Sequence, residues 1–129
     1  MGVDREDIRR AELWDETRDL IGTFRSACRN GSTAEGLAAL YAYESQIPAV
    51  AESKIEGLKK HYGIESPRTL AYFDVHIQAD KEHAAVEQRL LVRYIDENNA
   101  EAVGKSVGQV LDALWEMLWG VEHRHPLVA

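Results

Sequence analysis

The chain has 129 residues, a formal net charge of -7 and a pI near 5.2. This length supports one sizeable core and not comfortably two, so a single helical domain over 1–129 is expected. The acidic balance argues against a phosphate-backbone binder, and the basic pairs Arg9-Arg10 and Lys59-Lys60 read as solvated helix faces. No run approaches the roughly 18 apolar residues of a membrane span, and the first residues hold no hydrophobic signal segment. A single cysteine, Cys28, leaves no internal disulfide framework and suits a reducing compartment. The expectation is a soluble, cytoplasmic protein that engages neither nucleic acid nor membrane.

Three breaks divide the sequence into four helical segments. The first runs from about Asp4 to Arg29 and ends at Asn30-Gly31. Its seam is Trp14, Thr17, Ile21, Phe24 and Cys28, which makes Cys28 a core residue rather than a nucleophile. Ser32 and Glu35 form a capping-box pattern that opens the second segment, from Ala34 to Lys60. Pro48 lies within that segment and should kink it near Glu44. Gly63 suits a helix end and Pro67 the first turn of the third segment, which closes at Asp96-Glu97-Asn98-Asn99. The fourth helix carries Val103, Val107, Val110, Leu114, Met117 and Val121 on one face, with Trp115 and Trp119 beside it. The tail His123-Arg124-His125-Pro126 reads as frayed, its histidines incidental. The pattern is all-α, a four-helix bundle or a comparable array.

Two of these helices carry polar residues where their apolar periodicity requires greasy ones. The third reads Leu70, Phe73, Ile77, Asp80, Ala84, Glu87, Leu91, Tyr94, with His76 and His83 flanking the seam. Positions 76, 80 and 83 lie within a narrow arc of one face. The second reads Leu37, Leu40, Glu44, Ile47, Ala51, Lys54, Ile55, Leu58, interrupted by Glu44. In an antiparallel hairpin turning at Tyr62-Gly63, Glu44 stands level with Asp80 and His83, with His76 about a turn away. Buried charges need a partner, a shifted proton or a metal. Histidine with carboxylate and no nearby cysteine selects iron, manganese or zinc, and Glu87 is the nearest spare donor for a second ion. The same residues also suit a hydrogen-bonded polar layer without metal.

The stretch Glu35-Gly36-Leu37-Ala38-Ala39-Leu40-Tyr41-Ala42-Tyr43-Glu44-Ser45-Gln46-Ile47-Pro48, followed by Lys54-Ile55-Glu56-Gly57-Leu58 and Tyr62-Gly63-Ile64, resembles the heme-oxygenase-like diiron oxidases. The similarity is to the branch of the chlamydial proteins associating with death domains, cousins of the pyrroloquinoline-quinone synthases and thiaminase-like proteins. It spans about Leu13 to Val121. It implies that the array is the C-terminal part of a heme-oxygenase-like fold. It further implies that Glu44, His76, Asp80 and His83 are ligands of a non-heme, dinuclear iron or iron-manganese centre that activates oxygen. In the same resemblance Lys54 is the lysine near the metal and Tyr43 the aromatic beside the glutamate. The family's remaining Glu and His ligands come from an N-terminal part that would precede Met1. A homodimer, or a partner chain supplying the missing helices, is therefore expected. The alternative is a catalytically silent relative, a structural or interaction module with a partial or empty site. A thiaminase-like hydrolase would need an activated cysteine beside the carboxylates, and Cys28 lies on another segment.

Overall fold

The computed structural model describes residues 4–125. Its elements are α1 (Arg5–Arg10), α2 (Asp15–Arg29), α3 (Thr33–Glu44), α4 (Ile47–Tyr62), α5 (Pro67–Tyr94) and α6 (Ala100–Arg124). Among the described residues there is no strand, and the fold is the all-α array that the periodicity predicts. No helix is long and apolar enough to cross a membrane.

The boundaries follow from local chemistry. At the start of α3 the Ser32 hydroxyl accepts the Glu35 N–H at 3.3 Å, while a Glu35 carboxylate oxygen accepts the Ser32 N–H at 2.8 Å. Two orphan donors are satisfied reciprocally. Helix α4 stops at Gly63, whose φ of 63° is left-handed. The Gly63 and Ile64 N–H groups fold back onto the Lys59 and Leu58 carbonyls, which a side chain at 63 would oppose. Pro67 opens α5 where the ring costs no hydrogen bond. Between α5 and α6, the Asp96 carboxylate accepts the N–H groups of Asn98 and Asn99 and holds the turn.

Two expected continuous helices are each broken in two. The first segment is α1 and α2, separated by extended residues 11–14. The second is α3 and α4, separated at Ser45-Gln46, with Pro48 in the first turn of α4 instead of kinking one long helix. A proline is tolerated there because its missing N–H would have no intrahelical partner. The tail also differs from expectation. Helix α6 continues to Arg124, whose guanidinium donates to Glu16 at 2.9 Å and lies 4.5 Å over the Trp14 ring. Pro126 lies outside the described residues.

Helix α3 is the centre of the array, packed against α2, α5 and α6, while α4 pairs with α5. Its buried positions are small, namely Ala34, Gly36, Ala38 and Ala39. Small side chains let three helices approach it at once, and a Cβ on Gly36 would stand 3.3 Å from the Cys28 Cα. Val110 and Ala27 close one side of this core with Phe24, and Val103 with Leu91 and Val107 the other. Helix α2 is rotated from the expected seam. Ala27 is buried, whereas Cys28, Trp14 and Ile21 are exposed. The helix turns its small residue toward α3 because the close approach at Gly36 leaves no room for a larger one.

Candidate metal centre

Helix α5 carries three polar side chains on the face it turns toward α3 and α4. Asp80 is buried, at 6% exposure, in an otherwise apolar seam with Leu70 and Ile77. Its carboxylate lies between two imidazoles, with His76 Nδ1 at 3.4 Å and His83 Nδ1 at 3.5 Å. Glu44 ends α3 directly opposite, and its Oε2 accepts from His83 Nδ1 at 3.1 Å. Glu44, Asp80 and His83 each present a donor atom within 4.8 Å of the other two. His76 belongs to the group only through Asp80, and the Tyr72 ring packs against it at a tilt of 47° with ring centroids 4.3 Å apart.

Glu87 lies one turn further along α5. It is buried, and its Oε2 has no hydrogen-bond partner. Burial, reinforced by the Glu44 and Asp80 carboxylates and opposed by His83, raises its carboxyl above the ordinary value. A stranded acceptor beside two carboxylates and an imidazole is a site with an excess of negative donors. A divalent cation relieves that excess. Two oxygens and a nitrogen, with further carboxylate and imidazole in reserve, form a hard-to-borderline set suited to iron or manganese.

A groove of about 210 Å³ runs along the same face. Tyr43, Val50, Lys54, Tyr72 and Phe73 line it, with Glu44, His76 and Asp80 at its floor. Lys54 is exposed within it, and Tyr43 is half open to solvent. Burial, then Tyr72, Asp80 and Glu44, holds the Tyr43 phenol above its ordinary value, so it stays protonated at neutral pH. Tyr72 has no place in the sequence expectations although it shares a face with His76, one turn earlier. It falls outside the apolar seam that runs through Leu70, Phe73 and Ile77, and only the packing of α4 against α5 makes it a groove wall.

The comparisons with known proteins meet this geometry. The model of a family described as iron-containing redox enzyme matches residues 1–115. A 4-aminobenzoate synthase of Chlamydia pneumoniae is 42% identical over 118 residues, covering 92% of this chain and 52% of that protein. One from Nitrosomonas europaea is 37% identical over 127 residues, covering 97% and 51%, and one from Chlamydia muridarum is 36% identical over 118 residues. The chain thus spans about half the length of the curated relatives it matches. With an all-helical array and a carboxylate-histidine cluster between its helices, the chain belongs to the family of iron-containing redox enzymes, in the heme-oxygenase-like superfamily.

Proposed function

We propose that this chain is the ligand-bearing half of an oxygen-activating, non-heme metal oxidase, working in the cytoplasm. The observation that carries the reading is the convergence of Glu44, Asp80 and His83 within 4.8 Å, beside the unpartnered Glu87 oxygen. Glu44, Asp80 and His83 would hold the metal, with His76 joining from the far side of Asp80 and Glu87 available to a second ion. Iron, or iron with manganese, held there as a dinuclear centre would supply the redox chemistry for activating dioxygen.

The protein's own contribution is placement. Asp80 is fixed by burial, and its carboxylate lies between the two imidazoles, so the donors face one another before a metal binds. Tyr43 stays protonated and can donate a hydrogen bond or a proton at the groove floor. Lys54 places an amine at the groove wall, where we assign it the role of nearby donor. The relatives are named for 4-aminobenzoate synthesis, and we assign that reaction to the assembled enzyme. Glu44, Asp80 and His83 fill only part of a metal's coordination shell, and we assign the remaining ligands to a second copy or a partner chain.

Metal content per chain, measured by mass spectrometry after anaerobic reconstitution with iron and manganese, tests the assignment. Wild type should retain metal through desalting, and Glu44→Ala and His83→Ala should lose most of it. Equal occupancy in all three would remove these residues from the centre. A silent scaffold would hold no more metal than the His83→Ala control.

A further inference from the structure

His76 is the loosest member of the donor cluster. Its side chain is 40% exposed, and the polar contact that ties it to the cluster is Nδ1 to the Asp80 carboxylate at 3.4 Å. That separation exceeds the ordinary hydrogen-bond length of about 2.7–3.2 Å. One long contact fixes a single point of a ring that turns about two torsions, and leaves it free to swing toward solvent.

A second contact opposes that motion. Tyr72, His76 and Asp80 stand at intervals of four on α5, one above another on the same face. Helical side chains lean toward the N-terminus of their helix, so the side chain at 76 covers the turn that carries Tyr72, and the one at 80 covers the turn that carries His76. The Tyr72 and His76 ring centroids are 4.3 Å apart at a tilt of 47°. The imidazole is thus bounded by an aromatic ring on one side and a carboxylate on the other. Tyr72 is itself braced, with the Phe73 ring meeting it edge-on at 5.4 Å and 87°. Burial does not account for this tyrosine, because it is 65% exposed. What its ring touches is the His76 imidazole at the edge of the groove.

We propose, on the metal-binding reading above, that Tyr72 is a positioning residue, whose ring holds the His76 imidazole against Asp80 and keeps this outlying donor turned to the metal centre.

The metal-free full chain provides the first test. Three-bond couplings from the backbone nitrogen and carbonyl carbon to the His76 Cγ report whether its χ1 is held in one rotamer. Wild type and Tyr72→Phe should show a single rotamer, since the ring makes the contact, and Tyr72→Ala and Tyr72→Leu should show averaging. Both of the latter remove an exposed ring, so the fold is kept, as circular dichroism would verify. Tyr62→Ala, which removes a comparably exposed tyrosine from α4, should leave His76 as in wild type. Identical couplings in wild type, Tyr72→Ala and Tyr72→Leu would overturn the proposal.

The second readout is affinity for Mn(II) alone, followed by the electron paramagnetic resonance of the free ion. Tyr72→Ala should weaken binding by about tenfold, the lower end of what loss of a ligand's support costs, and Tyr72→Phe should keep wild-type affinity. Added to His76→Ala, Tyr72→Ala should weaken binding no further, because its effect passes through the imidazole. An equal loss in both backgrounds would defeat the proposal. If Mn(II) binds wild type no better than His83→Ala, the metal reading falls, and the couplings of the metal-free chain still decide for or against Tyr72.

Discussion

Asp80 decides the character of the candidate centre because it is the buried member, gripped by His76 on one side and His83 on the other. The imidazole Nδ1 atoms lie against the carboxylates, so a cation competes with protons for the same donors. Metal affinity should therefore fall as pH is lowered, which titration calorimetry at several pH values would measure. A pH-independent affinity would mean that the histidines are not ligands. Glu87 gives a second prediction at this scale. Its folded carboxyl titrates above the unfolded value of 4.5, so the folded state holds the proton more tightly. Its cost to the metal-free fold is absent below 4.5 and grows as pH rises through the raised folded value. Glu87→Gln should remove that cost, and the gap between mutant and wild-type urea midpoints in chelator should widen with pH. Parallel curves would place the cost elsewhere.

At the scale of elements, the helix ends are where single residues carry the structure. Ser32→Ala removes one half of a reciprocal cap and should destabilise the fold by about 1 kcal/mol, read from a denaturant melt. Gly63→Ala forces a Cβ into the left-handed region and should cost about 1–2 kcal/mol. The consequence of the second change is functional as well as structural. The Gly63 turn sets the register of α4 against α5, and α4 supplies Val50 and Lys54 to the groove beside His76. Helices α2 and α6 are tied differently, through Glu16, Arg124 and Trp14 at their ends. Gly120 is buried at this junction, and a Cβ there would stand 2.8 Å from the Arg124 guanidinium and 3.1 Å from the Glu16 carboxylate, so the glycine leaves room for the clamp.

At the scale of the whole molecule, the core is built of small residues, and Val110 is its largest fully buried side chain. Alanines and glycines bring helices close but bury little apolar area each, so the array has a modest hydrophobic reserve. A bound ion therefore matters to stability. Iron or manganese at 100 times its dissociation constant should add about 2.7 kcal/mol and raise the thermal midpoint, and chelator should reverse the shift. His83→Ala should show neither change. The same thin core leaves large side chains such as Trp115, Val92 and Tyr72 on the outside.

What the sequence determined by itself is what depends on neighbours within a turn or two. The Ser32 and Glu35 cap, the stops at Gly63 and Asp96, and the seam of α5 with Asp80 and Glu87 inside it are all local, set by backbone geometry and a period of 3.6. The placement of Glu44 beside His83 was also within reach, since a hairpin with a known turn fixes which heights coincide. The tertiary structure decided the rest. It rotated α2 so that the side chain of Ala27 instead of that of Cys28 is buried, a choice made by the distance between two backbones. It parted α3 from α4 at Ser45-Gln46, made Tyr72 a wall of the groove, and left His76 attached to the cluster through Asp80 alone. It also left Trp115, Leu118 and Trp119 of α6 exposed. Periodicity reports that a face is apolar, and only packing determines which apolar face finds a partner within the chain.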